Sequence, residues 1–398
     1  MTRNEIANEL FLAGKEIKQC FFNEIALSRT GNTDITSVYP QYLQLLKNLN
    51  IMYHSLNIQT VDFDLQINRL ENSLSHLTVC EIEDSFISEY TSILNEMLLN
   101  TIKFRNKYSL IRRNDPVPGL ASHIITNLGQ IVASLNNGYI PLIDTVNADN
   151  VFTSLSRKYD MNAWELYFEQ PFGTSYTDLV PGQEIKIADG IPIFMPTYNM
   201  DCLLNHNLIE FWRSIMRKYM PVSIDMTNRI NSLLTKLPFH SGAKILGVLC
   251  RGTDYTNMRP YNHPVQPSLN LVLAKADEMM RKYQCDYCYL ATEDQEILNA
   301  FRSKFRDMLL ITQDIYYASD IAESINQTNI DCQVDLHRKN VEYLAALILL
   351  SKCRYFIGGR TSGTVVSLLL ADYFDETYIW NCGRYGIDDS TALNSHIY

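Results

Sequence analysis

From residue 245 to residue 370 the chain alternates short apolar runs with amphipathic stretches, and few folds accommodate that alternation. The runs at 245–249, 287–291, 308–311 and 354–358 are too short for helices, and each is followed by a polar turn. Between them, helical spacing is expected at 269–283, from 295 through Phe301, at 341–351 and from about Thr364 through Leu370. Strand, turn and helix repeated in this way predict a doubly wound parallel sheet. Ligands of such sheets bind beyond the carboxyl ends of the strands. The turns are therefore where function is to be sought.

Three of those turns carry chemistry. The run 245–249 delivers Arg251 and Asp254, the second strand ends in Thr292, Glu293 and Asp294, and the last turn reads Gly359-Arg-Thr-Ser-Gly-Thr364. A planar guanidinium at a strand end suits bidentate phosphate binding, although an Arg–Asp pair that only pins a loop has the same pattern. Thr361, Ser362, Gly363 and Thr364 leave backbone N–H groups at a helix N-terminus, which suits an anion. The turn has no Gly-Lys-Ser/Thr, and the first turn has no G-x-G-x-x-G, so a Walker-type NTPase and a nicotinamide dehydrogenase are disfavoured.

At 398 residues the chain exceeds what one core supports, and three sections are expected: 1–105, 106–220 and 221–398. The first has helical spacing at Tyr42, Leu45, Leu46 and Leu49, at Ile67, Leu70, Leu74 and Leu77, and at Leu94, Leu98 and Ile102. A packed bundle is favoured there over a coiled-coil seam, because the pattern lasts under two heptads. The second opens with Gly119-Leu-Ala-Ser-His123, a helix at 124–136 and a strand at 139–144, a Rossmann-like half unit. The helix start around Gly119, Ala121 and Ser122 would face an anion or simply cap the helix. Trp164, Glu165, Phe168 and Glu169 place aromatics beside carboxylates, either a sugar platform or plain core.

A net charge of −10 argues against non-specific nucleic-acid binding. No apolar segment approaches the ~20 residues that span a bilayer, and the start lacks a secretion-signal pattern, so a cytoplasmic location is expected. Nine cysteines scattered through strands and helices suit a reducing compartment. Cys285 and Cys288 have metal-site spacing, but no second pair supplies the remaining ligands, so no metal site is expected.

The run Gly247-Val-Leu-Cys-Arg-Gly-Thr-Asp254, with His263-Pro264, Tyr289-Leu-Ala-Thr-Glu-Asp294, Leu350-Ser351 and Thr361-Ser362, resembles the fucosyltransferase superfamily of GT-B fold. The pattern is similar to the core α1,6 and Nod-factor fucosyltransferases and reminiscent of bacterial α1,2 enzymes. It spans about 110–385 and is strongest from 245 to 370. The resemblance implies two Rossmann-like domains facing a cleft, GDP-fucose as co-substrate and no cofactor. It also implies that Arg251 holds the β-phosphate and that Thr361 and Ser362 contact the diphosphate. Departures are equally visible. The family's second arginine is Gly252 here, and its histidine two places before the arginine is Leu249. Its base-reading acid falls on Ala346, with Glu342 one turn earlier, and the acid proposed as base falls on Arg259.

Together these readings predict an inverting, metal-independent fucosyltransferase acting on a glycan or lipid-linked precursor. Arg251 supplies charge, Asp254, Glu165 or Glu169 serves as base, and Trp164 and His263 stand on the acceptor side. A GT-B enzyme using another nucleotide sugar and a non-catalytic glycan or nucleotide binder are the alternatives. The helical section is a candidate for peripheral membrane or homo-oligomer contact.

Overall fold

The computed structural model describes residues 2–29, 38–56, 62–76, 79–239, 242–318, 336–387 and 395–396. Two compact units are present. One holds Met1–Ser109, Ser134–Pro141 and Leu179–Lys186; the other holds Leu110–Ala133, Leu142–Asp178 and Ile187–Tyr398. This division differs from the three sections expected: no boundary between units falls near residue 220.

The first unit is built on α1 (Arg3–Arg29), α2 (Tyr39–His54), α3 (Phe63–His76) and α4 (Val79–Ile102). Tyr42, Leu46 and Leu49 of α2, Ile67 and Leu70 of α3, and Leu94, Leu98 and Ile102 of α4 are buried, as their spacing predicts. Leu45 is instead exposed, and Leu77 lies outside the described residues. Aromatics fill the centre, with Phe21 4.5 Å from Tyr90 and 4.8 Å from Tyr42 between ring centroids. Arg105 closes the bundle: it lies 4.2 Å from the Phe11 ring and donates to Asn8 Oδ1 at 2.8 Å and to the Gly138 carbonyl at 2.8 Å. Residue 138 has φ +72, and a Cβ there would overlap Arg105 Nη1, so glycine is required twice over.

Strands β1 (Lys107–Ile111), β2 (Ile140–Ile143) and β3 (Glu184–Ala188) form a small sheet of order β2-β1-β3. Helix α5 (Leu120–Asn136) begins four residues before the expected position, directly after Gly119. Helices α6 (Thr153–Tyr159), α7 (Met200–Leu203), α8 (His206–Tyr219), α9 (Ile224–Lys236) and α10 (Thr253–Met258) follow along the chain.

The second unit carries the predicted sheet. Its strands are β4 (Ile245–Leu249), β5 (Tyr287–Ala291), β6 (Leu309–Leu310), β7 (Tyr355–Gly358), β8 (Glu376–Ile379) and β9 (Ser395–His396), in the order β6-β5-β4-β7-β8-β9. All pairs are parallel except β8–β9. Counting β4 as the first strand, the order is 3-2-1-4-5-6, the doubly wound order with its switch point between β4 and β7. Strand alternation sends Leu246, Val248, Cys288, Leu290, Tyr355 and Ile357 to one face. There they pack on α11 (Leu269–Tyr283) and α12 (Gln295–Phe305). Helix α13 (Leu336–Leu350) packs against β4 and β5, and Leu350 and Cys353 at its end abut Gly247 on the other face. Cys285 and Cys288 are buried in the α11/α12 core, and burial pushes the Cys285 thiol up to about 11. No helix among the described residues is long and apolar enough to cross a membrane.

Candidate functional site

Arg251 emerges two residues beyond β4, and the turn that carries it is held by carboxylates from the neighbouring strand. Glu293 Oε1 accepts from the Gly252 amide at 3.0 Å and the Thr253 hydroxyl at 3.1 Å, and lies 3.6 Å from Arg251 Nε. Asp294 accepts from the Thr253 amide at 3.2 Å and caps α12 by accepting from the amides of Glu296 (2.8 Å) and Ile297 (3.1 Å). Thr253 opens α10 (Thr253–Met258) with φ +47, an unfavourable conformation for a β-branched residue. The two carboxylates over-determine it, the kind of stored strain that clusters at working sites. Glu293 and Asp294, the polar end of the second strand, thus shape the Arg251 turn. The backbone of Asp254 lies in α10, but its side chain is outside the described residues.

The same packing explains Gly252. A Cβ there would lie 2.4 Å from Asp294 Oδ2 and 2.8 Å from Asp294 Cβ. No second arginine fits at this position without rebuilding the α12 cap. Gly252→Ala is accordingly expected to destabilise the protein by about 1–3 kcal/mol, the scale of overpacking. An unchanged denaturation midpoint in that variant would show that the contact is soft.

Beside Arg251 lies a half-open cleft with about 690 Å³ of free space, part of it continuous with solvent. The strand ends contribute Leu249, Arg251, Thr292 and Glu293, and α5 contributes Leu120. Helix α13 contributes Lys339, Glu342 and Tyr343, three residues at helical spacing on one face. Glu342 is buried, accepting from the Asp314 amide at 3.0 Å and from Arg338 Nε at 2.9 Å. A carboxylate has about four acceptor positions, so two remain for a ligand. Burial pushes the Tyr343 phenol up to about 12; the Arg251 charge opposes this and the Glu293 charge adds to it. The phenol is therefore a neutral hydrogen-bond donor. Its hydroxyl lies 2.6 Å from where a Cβ on Gly363 would stand, so glycine at the head of α14 (Ser362–Leu370) admits it.

Other expected site residues are placed elsewhere. Trp164 is fully buried, stacked on Phe168 at 4.9 Å, and serves the core rather than an acceptor. Glu165 accepts from Gln170 Nε2 and Ser175 Oγ, both at 3.1 Å, and Glu169 is exposed; neither lines the cleft at Arg251. Ser122 Oγ is taken by Arg113 Nη1 at 2.9 Å and Ala121 is buried, so at this helix start it is Leu120 that reaches the cleft. Thr361 Oγ1 caps α14 by accepting from the Thr364 amide at 3.1 Å, and the Thr364 hydroxyl donates to the Gly359 carbonyl at 2.5 Å. Ser362 is half-buried, and no hydrogen bond engages its hydroxyl among the described residues. His263 is half-buried in the loop after α10, where burial lowers its pKa.

Sequence reasoning missed Gln313, Tyr317, Lys339 and Tyr343. Gln313 Oε1 accepts from the Thr292 amide at 3.1 Å, and the Tyr317 amide donates to the Glu293 carbonyl at 2.8 Å, so the chain after β6 is laced to the β5 turn. The Lys339 ammonium lies 5.4 Å from the centre of the Tyr317 ring.

The chain is similar to solved fucosyltransferase structures at low identity. For NodZ α-1,6-fucosyltransferase co-crystallised with GDP, identity is 13% and the TM-score 0.42, over 69% of this chain and 95% of that one. For NodZ from Bradyrhizobium the figures are 14% and 0.42, over 69% and 96%. For POFUT1 in complex with GDP they are 11% and 0.40, over 71% and 99%. No family model and no curated protein matches the chain.

Proposed function

We propose that the chain is a glycosyltransferase of GT-B type that binds a nucleoside-diphosphate sugar at the Arg251 cleft, with GDP-fucose the donor its residues fit best. The observation that carries this reading is Arg251 itself. It stands beyond the carboxyl end of β4, beside the switch point of a doubly wound sheet, on the wall of a cleft. A departing diphosphate needs positive charge and oriented donors. Arg251 and Lys339 supply charge, and the Tyr343 phenol is a neutral donor in the same cleft. The amino-linked edge of guanine offers N–H donors, which complement the spare acceptor positions of Glu342. A glycan hydroxyl then displaces the diphosphate with inversion, without a metal ion.

The test is a binding panel of GDP, UDP, CMP and dTDP followed by sugar release from GDP-fucose with and without EDTA. GDP-selective binding and chelator-insensitive turnover are expected. Selective UDP or dTDP binding would transfer the reading to another donor. Turnover lost in EDTA and restored by Mn²⁺ would sink the metal-free step. The loss of any arginine at position 252 favours one competing reading, a nucleotide-binding protein without turnover, and GDP binding with no sugar release from any GDP-sugar would establish it.

A further inference from the structure

Arg251 walls a second opening. There a solvent-open groove with about 1,100 Å³ of free space is lined in part by Asn257, Arg259, Ser268, Glu296 and Tyr385. Ser268 and Glu296 offer donors and acceptors suited to sugar hydroxyls, and the Tyr385 ring offers a face for the apolar side of a pyranose. A donor with its base toward Glu342 and its β-phosphate on Arg251 would direct its sugar toward this groove, because Arg251 is common to both walls.

The carboxylates around the two openings sort themselves by what they already hold. Glu293 is engaged by Gly252, Thr253 and Arg251, Asp294 by Thr253 and the cap of α12, and Glu342 by Asp314 and Arg338. Glu296, in the first turn of α12, is exposed, and no hydrogen bond or ion pair engages its carboxylate among the described residues. In sequence only Asp294 and Gln295 separate it from Glu293, which holds the Arg251 turn, and it lines the same groove as Arg251.

Building on the donor reading above, we propose that this groove holds the carbohydrate acceptor and that Glu296 is the base of the transfer. The acceptor hydroxyl gives its proton to the Glu296 carboxylate as its oxygen bonds to the donor's anomeric carbon. The bond from that carbon to the diphosphate oxygen breaks on the opposite side, and its electron pair leaves on the diphosphate beside Arg251. Charge balances, and the anomeric configuration inverts.

Water can stand in for the acceptor, and azide is an anion that needs no proton removed. GDP affinity, GDP-fucose hydrolysis and formation of the glycosyl azide should be measured on the full chain, on Glu296→Gln and on Asp254→Asn. In Glu296→Gln, GDP affinity should be unchanged and hydrolysis should fall on the order of a hundredfold or more, the usual contribution of a general base. Azide should restore product formation in that variant. Hydrolysis at the parent rate, even with a lowered melting temperature, would reduce Glu296 to a first-turn helix carboxylate and overturn the proposal. So would the same loss and azide rescue appearing in Asp254→Asn instead. Failure of the parent chain to bind GDP would overturn the donor reading itself, a separate outcome.

Discussion

Arg251→Ala is expected to abolish turnover while leaving the protein folded. The side chain is 23% exposed and lies 3.6 Å from Glu293 at the sheet's edge, so its removal takes little packing from the core. Glu293 keeps its other two donors, the Gly252 amide and the Thr253 hydroxyl, and is not left as a bare buried charge. The turn therefore holds. What is lost is the fixed positive charge where a departing diphosphate develops its own, and removing one such group costs about 100–1,000-fold in kcat. Arg251→Lys should also fail badly, because an ammonium keeps the charge but loses the planar two-point grip. A purely structural arginine predicts the reverse, a lowered melting temperature with normal kcat in the folded fraction. Steady-state rates and melting curves on both variants decide between them. Near-normal kcat in Arg251→Ala would remove the residue from the mechanism.

Glu342→Gln should weaken GDP binding by about 1.5–3 kcal/mol, the scale of a hydrogen bond to a charged group. The substitution keeps the shape and one carbonyl acceptor but removes the charge and turns one oxygen into a donor. That donor would face the Asp314 amide or Arg338 Nε, which now give hydrogen bonds to the carboxylate at 3.0 and 2.9 Å. Some stability is therefore lost together with affinity, and the two must be measured separately. Calorimetric titration at a temperature well below the melting point isolates the binding term. UDP, whose base presents a different edge, should respond little. Equal losses for GDP and UDP would mean that Glu342 only holds the Asp314 turn in place and does not read the base.

Strands β4, β5 and β7 and the start of β6 stand within one or two residues of their expected positions, and α11 falls on 269–283 as its spacing predicts. These elements are locally legible because a buried parallel strand must be apolar throughout and a packed helix must repeat every 3.6 residues. The position of Arg251 follows from the same logic, since a polar residue after such a run can only lie at the sheet's edge. Helix α13 shows where that legibility stops. Its apolar run suggests a start at 341, yet the helix begins at Leu336, and the added turn carries Lys339 and Asn340 into the cleft. A polar first turn gives no apolar period to read.

Where the strands end, and which residue types stand there, can be read along the chain. What those residues do depends on how the strands are paired in the fold. Glu293 and Asp294 were absorbed into holding the Arg251 turn because parallel pairing of β4 with β5 brings the two turns side by side. Trp164 went to the core because Phe168 lies where it can stack. Glycine at 252 is fixed by a contact with a residue 42 positions later, and no local pattern encodes such a contact. Backbone periodicity is a near-neighbour property and can be read along the chain. Hydrogen-bond partnership between turns depends on strand order, and the chain acquires that order only when it folds.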